Sequence, residues 1–260
     1  MDIVGHRGAR GEAPENTLAG FEHALRAGVR DIELDVRLSA DGHLIVVHDA
    51  EVDRTTWHAG PVHHHSRAEL GSMDARRNTP GWHSPLAIPS LGEVVALCPP
   101  DTRFQFEIKT LDRVHQATLA HNLKYLIDHY QLHHRIVVTS SDQRLLRKVR
   151  LNEPRVQLGL IAQYRYEQPL RRARALDCSW LMAHRNLVSR RLVRGVHKRK
   201  MRISVWTVND PKQAKRMAGL GVDSLITDYP TRMLALFGAE SAQPSARNDR
   251  ISEERDMASR

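Results

Sequence analysis

Residues 31–37 read Asp31-Ile32-Glu33-Leu34-Asp35-Val36-Arg37, and the alternation in this stretch decides the fold. Successive side chains of a β-strand point to opposite faces. Ile32, Leu34 and Val36 therefore share one face, suited to packing beneath helices, while Asp31, Glu33, Asp35 and Arg37 share the other. A surface strand of an antiparallel sheet would produce the same pattern by solvating its polar face. A second stretch, Arg103-Phe104-Gln105-Phe106-Glu107-Ile108-Lys109, repeats it. Phe104, Phe106 and Ile108 face outward; Gln105, Glu107 and Lys109 face inward. Carboxylates directed into a barrel lose hydration and repel one another, and a bound cation relieves both costs. Glu33, Asp35 and Glu107, with no required His or Cys, suit a hard divalent ion, Mg²⁺ or Ca²⁺, better than zinc. For Lys109 an internal salt bridge is the alternative.

Outward from these strands the chain alternates short apolar segments with amphipathic ones. Strands are expected at 2–6, 31–37, 44–48, 103–109, 135–139, 156–161, 179–183, 202–208 and 223–227. Helices are expected at 17–28, 90–97, 113–130, 142–151, 166–175, 189–200, 211–219 and 230–237. Repeated strand–helix order implies a parallel sheet, here an α/β (β/α)8 TIM-like barrel. Nine strands are one too many, and the surplus lies at 31–48, where Ala40-Asp41-Gly42 makes a tight turn between two strands. Residues 55–88 break the rhythm and read as an inserted loop over one end of the barrel. The histidines there, among them His63, His64 and His65, read as solvated rather than metal-binding. The expected division is a barrel domain over 1–237 and a disordered tail over 238–260, which is polar and without periodicity.

With 260 residues, the chain can bury roughly 75% of the surface its unfolded form exposes, so it needs no disulfides. Its two cysteines, Cys98 and Cys178, are not at metal or redox spacings and read as buried thiols. No basic and apolar leader and no run of about 18 apolar residues is present, and the expectation is a soluble, cytoplasmic protein. The formal charge of +9, from 39 Lys+Arg against 30 Asp+Glu, attracts anions without choosing among nucleic acid, membrane and phosphate esters. The basic stretches Arg171-Arg172-Ala173-Arg174 and His197-Lys198-Arg199-Lys200 read as solvated helix faces, so no nucleic-acid partner is expected.

Two histidines end short strands: His6 closes Ile3-Val4-Gly5-His6 and His48 closes Leu44-Ile45-Val46-Val47-His48. Barrel active sites lie at the C-terminal ends of the strands. A pair of histidines there, beside an inward carboxylate cluster, suggests acid–base work. Gly5 and Gly8 are expected to let backbone approach a ligand closely. Asn16 reads as the N-cap of the first helix. Trp206 points away from Ile203 and Val205, and serves either core packing or a substrate wall.

In this order, His6-Arg7-Gly8, Pro14-Glu15-Asn16-Thr17, Glu33-Leu34-Asp35 and His48-Asp49 resemble the signature of the glycerophosphodiester phosphodiesterase family. Asp53-Arg54-Thr55-Thr56, Ile88-Pro89-Ser90-Leu91, Glu107-Ile108-Lys109, Val205-Trp206-Thr207-Val208-Asn209 and Gly221-Val222-Asp223-Ser224-Leu225-Ile226-Thr227-Asp228-Tyr229-Pro230 extend the resemblance from residue 3 to about 237. The resemblance implies hydrolysis of glycerophosphodiesters to sn-glycerol 3-phosphate and an alcohol. It also implies one divalent cation held by Glu33, Asp35 and Glu107, an acid–base pair of His6 and His48, and substrate contacts from Arg7, Lys109 and Trp206. The family mechanism runs through a cyclic phosphate. The chain departs from the family at Ser140-Ser141-Asp142, where many relatives have an aromatic after a serine, and in its His-rich insert. These departures bear on headgroup preference, not on the chemistry. A lysophospholipase D-type reaction on the same fold is the alternative, and it would call for an apolar channel or membrane-binding surface. A basic nucleic-acid-binding module is a third reading, against which the intact set of carboxylates and histidines argues.

Overall fold

The computed structural model describes residues 1–79, 81–109, 113–165 and 168–241. Strands are β1 (Asp2–His6), β2 (Asp31–Leu38), β3 (Leu44–Val46), β4 (Arg103–Ile108), β5 (Ile136–Ser140), β6 (Gln157–Ala162), β7 (Trp180–His184), β8 (Arg202–Trp206) and β9 (Ser224–Thr227). Helices are α1 (Leu18–Arg26), α2 (Arg67–Ser72), α3 (Leu91–Leu97), α4 (Arg113–His129), α5 (Gln143–Asn152), α6 (Pro169–Ala175), α7 (Arg190–His197), α8 (Pro211–Leu220) and α9 (Pro230–Ser241). The sheet order is β1-β9-β8-β7-β6-β5-β4-β2-β3, and β1 also pairs with β2. Eight parallel strands thus close into a barrel within a ring of helices. The ninth, β3, is the expected surplus. It runs antiparallel to β2, with Val36 opposite Val46, after a turn in which Gly42 takes φ +83°.

Alternation along the strands sorts the layers as expected. Ile32, Leu34, Val36, Phe104, Phe106 and Ile108 are buried in the strand–helix layer. Burial of each such side chain is worth about 1.5–3 kcal/mol. The barrel interior has a separate apolar floor of Val137, Trp180 and Met182, packed by Ile161 and Trp206. Register then aligns the inward polar groups: His6 lies opposite Glu33, Glu33 opposite Gln105, and Asp35 opposite Glu107. Asp31, expected on the same face, sits instead at the far end of β2, where Arg103 grips it through Nε at 2.7 Å and Nη2 at 2.5 Å. It belongs to the opposite mouth of the barrel.

Several expectations are corrected. The insert is not a plain loop. Ser66 and Glu69 form a capping box that starts α2, and Val52, Val62, Leu70, Met73 and Ile88 build a small core of their own against Ile45 and Val47 of the β3 segment. His63 and His64 are exposed, and among the described residues the histidine run contributes to no cluster able to hold a metal. The N-cap of α1 is Thr17, whose hydroxyl accepts from the Gly20 amide at 3.1 Å, not Asn16. Gly5 and Gly8 admit backbone rather than a ligand. A Cβ on Gly5 would lie 2.1 Å from the Gly8 carbonyl oxygen, and one on Gly8, at φ +84°, would lie 2.8 Å from Gly20 backbone atoms. Asp142, in the departing Ser140-Ser141-Asp142 text, caps α5. Cys98 and Cys178 are free and buried as expected, and burial pushes both thiols up to about 12. Helix α9 runs to Ser241, past the expected boundary at 237; the rest of the expected tail, 242–260, lies outside the described residues. No helix among the described residues is long and apolar enough to cross a membrane.

Candidate active site

Neighbouring strands β2 and β4 bring Glu33, Asp35 and Glu107 together, with one carboxylate oxygen of each within 4.8 Å of the others. Glu33 and Asp35 are buried. Three carboxylates in so small and largely desolvated a space need counter-charge. Lys109, just beyond β4, supplies part of it: Nζ lies 2.7 Å from Asp35 Oδ1 and also pairs with Glu107. The internal salt bridge expected as the alternative for Lys109 is therefore present. Arg7 supplies the rest. Its residue adopts φ 51°, which turns its amide to donate to Glu33 Oε2 at 3.1 Å and sets Nε 3.1 Å from Asp35 Oδ2. Asn16, also at φ 53°, donates from Nδ2 to Asp35 Oδ2 at 2.8 Å. Two left-handed non-glycine residues thus both aim polar groups at one carboxylate pair, and strained backbone of this kind clusters at functional sites.

This counter-charge is unevenly shared. Burial raises the Asp35 pKa, but Lys109 and Arg7 outweigh it and hold the group below the ordinary carboxylate value. Burial, then repulsion from Asp35 and Glu107, pushes Glu33 well above its ordinary value. Burial likewise raises Glu107. Glu33 Oε1 is buried without a hydrogen-bond partner. An orphaned oxygen among oxygen-only donors fits a hard divalent cation. A raised carboxyl pKa means that ionisation opposes folding above the unfolded-state pKa and ceases to matter below it. Glu33→Gln is therefore expected to raise the thermal midpoint of chelated protein by a few degrees near neutral pH. The gap to wild type should close as pH falls toward the ordinary value of 4.5. Melting curves in EDTA across that range check this, and an unchanged or lower midpoint in the variant at neutral pH would refute it.

His6 ends β1, whereas His48, expected at a strand end, lies two residues past β3; both are held by aspartates at Nδ1. His6 Nδ1 lies 2.5 Å from Asp228 Oδ1, and Nε2 points toward Glu33 Oε2 at 3.8 Å. Asp228 is itself fixed by Asn209, which donates from Nδ2 at 2.6 Å and accepts the Asp228 amide at 2.9 Å. Burial raises Asp228, but the bonds from His6 and Asn209 outweigh it and hold the carboxyl below its usual range. His48 Nδ1 lies 2.6 Å from Asp49 Oδ1. Burial lowers the His48 pKa, against the opposing pull of Asp35. An aspartate on Nδ1 leaves Nε2 as the ring atom available for proton transfer.

Trp206 lines the same pocket as His6, Glu33, Gln105 and Glu107. Its Nε1 donates to the Met182 carbonyl at 3.0 Å, so it packs on the interior floor and walls the pocket at once. The structure gathers His6, Arg7, Glu33, Asp35, Glu107, Lys109 and Trp206 at this mouth, with His48 close enough to feel the charges of Asp35, Arg7 and Lys109. Sequence reasoning gave no role to Asp228, Asn209, Asp49, Glu15 or Arg54. Polar side chains just past β8 and β9 were the available signal for Asn209 and Asp228.

Comparison with known proteins agrees with this geometry. Residues 6–232 match the glycerophosphoryl diester phosphodiesterase family. A glycerophosphodiester phosphodiesterase of Bacillus altitudinis is 32% identical over 239 residues, covering 90% of this chain and 97% of its own. One from Caldanaerobacter subterraneus is 33% identical, covering 90% and 96%. A solved structure from Silicibacter pomeroyi, described as a candidate glycerophosphoryl diester phosphodiesterase, superposes with a TM-score of 0.86 at 27% identity, covering 93% of this chain and 94% of that one. The chain belongs to the glycerophosphoryl diester phosphodiesterase family and is, as such, a phosphoric diester hydrolase.

Proposed function

We propose that this protein hydrolyses glycerophosphodiesters to sn-glycerol 3-phosphate and an alcohol, in a metal-dependent reaction through a cyclic phosphate. The observation that carries the reading is the carboxylate trio, buried at Glu33 and Asp35 and half-buried at Glu107, with its orphaned Glu33 oxygen. Glu33, Asp35 and Glu107 would hold Mg²⁺ or Ca²⁺. A divalent cation bound there would neutralise the phosphodiester and draw charge from its oxygens. Arg7 and Lys109 add positive charge against the phosphoryl group. One histidine removes the proton from the glycerol 2-hydroxyl, which attacks phosphorus in line. The other protonates the leaving alcohol, and water reopens the ring with the two roles reversed. His48, kept low by burial, is suited to the neutral, proton-accepting form, which leaves His6 to protonate the alcohol. Trp206 bounds the substrate on the apolar side.

Parallel turnover of glycerophosphocholine and lysophosphatidylcholine tests the substrate class. Hydrolysis of the first, with little of the second, is expected; the reverse would assign a lysophospholipase D-type activity to the same site. Residues 1–237 are proposed as the catalytic domain and 238–260 as a tail without a catalytic role. Because helix α9 continues to Ser241, the appropriate truncation removes 242–260. It should leave turnover within about twofold and the thermal midpoint unchanged. A large loss of either would show that the tail docks on the barrel.

A further inference from the structure

Two motifs of the sequence, Pro14-Glu15-Asn16-Thr17 and Asp53-Arg54-Thr55-Thr56, carry charged residues to which the reaction described above gives no part. In the fold they meet. Glu15 lies in the turn between β1 and α1 and is 3% exposed. Its carboxylate accepts from Arg7 Nη1 at 2.7 Å, from Arg54 Nη2 at 2.7 Å and Nη1 at 2.9 Å, and from Asn78 Nδ2 at 3.0 Å. Arg10 Nε stands 3.2 Å away. Burial works against this carboxylate, but the bonds from Arg54 and the charge of Arg7 bring its pKa to about 2, so it stays ionised. Arg54 is shared. Its two terminal nitrogens hold Glu15, while Nε donates to Asp49 Oδ2. The other oxygen of Asp49 holds His48 Nδ1 at 2.6 Å. A continuous chain of charged hydrogen bonds therefore runs from a buried carboxylate through one guanidinium and one aspartate to a histidine at the mouth of the barrel.

Stability alone does not account for such a chain. Glu15 is buried, but Arg54 is exposed and Asp49 and His48 are half-buried, and ion pairs that reach solvent add only about 0–1 kcal/mol each. A planar guanidinium bridging two carboxylates does, however, fix the orientation of the second one, because each fork of hydrogen bonds has a set direction. We propose that Glu15 and Arg54 are positioning residues for His48: Glu15 anchors Arg54, Arg54 holds Asp49 against Nδ1, and the imidazole is thereby kept in one orientation with Nε2 free. The inference builds on the proposed acid–base role of His48. Glu15 also grips Arg7 directly, so the same buried carboxylate organises a histidine on one side and a phosphate-binding cation on the other.

The chain predicts opposite electrostatic effects from its two members. Charged groups around His48 are Asp49 beside it, Asp35 and Arg37 from β2, Arg7 from the β1–α1 turn, Lys109 after β4, and Arg54 behind Asp49. Arg54→Met removes a cation and leaves Asp49 and Glu15 less compensated, so the His48 titration should move up by about one unit. Glu15→Gln removes an anion and leaves Arg54, Arg7 and Arg10 less compensated, so it should move down. The titration is read by NMR of the ring protons at fixed Mg²⁺, with His48 assigned from the spectrum of His48→Ala and folding checked by circular dichroism. Movement in opposite directions supports the proposal. No movement in either variant, or movement of both in one direction, overturns it. If Glu15→Gln does not fold, Arg54→Met decides alone: upward supports and unchanged or downward refutes. This measurement needs no turnover. Failure of wild type to cleave glycerophosphocholine would therefore sink the functional reading separately. Where turnover is present, Arg54→Met should lower kcat about ten- to a hundredfold with KM little changed, and should add less than about twofold in a His48→Ala background, because residues acting as a unit are not additive. Equal loss in both backgrounds would mean that Arg54 does not act through His48.

Discussion

Alanine at Glu33, Asp35 or Glu107 is expected to abolish divalent-cation binding and to lower turnover of a glycerophosphodiester by on the order of 10³-fold or more, the equivalent of about 4 kcal/mol of lost charge stabilisation. The three positions should not behave alike in the chelated state. Asp35 is bonded to Asn16 and lies against Lys109 and Arg7, so its removal leaves Lys109 with Glu107 alone, Arg7 with Glu15 but without the charge of Asp35, and the Asn16 amide without its Asp35 oxygen. Glu33 is the poorly compensated member, pushed well above its ordinary value by burial and by its two acidic neighbours. Asp35→Ala should therefore destabilise the chelated protein while Glu33→Ala destabilises it less or not at all. Calorimetric titration with Mg²⁺ and Ca²⁺ reads the binding, and melting in EDTA reads the stability. Wild-type affinity in any of the three variants would remove that residue from the ligand set.

Loss of either histidine is the second large effect. His6→Ala and His48→Ala should each lose roughly 10²–10⁴-fold in kcat. The double variant should be little worse than the worse single one, because proton donor and acceptor act as one unit. A substrate with a leaving group of low pKa should partly restore the variant that lacks the acid, expected to be His6→Ala. A 2-deoxy analogue should bind and resist cleavage, since the cyclic route needs the neighbouring hydroxyl. Cleavage of that analogue at the normal rate would show direct attack by water and end the cyclic proposal.

What could be read from the residues, and what could not, follows from how local each signal is. Alternation across 31–37 and 103–109 needs only the strand period, so the inward placement of Glu33, Asp35, Gln105 and Glu107 was legible, as was the β2–β3 hairpin from Asp41-Gly42. Period alone does not say how far along the barrel a residue sits, and Asp31 falls at the wrong mouth for that reason. Asn16 and Thr17 are both good caps; the left-handed turn at Asn16 decides between them by sending its amide to Asp35. The core of the insert escaped because Val52, Val62 and Leu70 are too far apart to show a strand or helix period, and only Leu70 and Met73, at helix spacing, mark the short α2. His6 and Asp228 stand 222 residues apart, and only closure of β1 against β9 brings them into contact.

A metal held by the carboxylate trio is proposed to support hydrolysis of glycerophosphodiesters at this mouth of the barrel. The most direct test is release of sn-glycerol 3-phosphate, followed by ³¹P NMR, from a panel of glycerophosphodiesters with Mg²⁺ or Ca²⁺ and with chelator. Release is expected in the presence of at least one of the two ions, with its loss on chelation and its return when the ion is restored. Undiminished release from fully chelated protein, or no release from any member of the panel with either ion, would contradict a metal-dependent glycerophosphodiesterase.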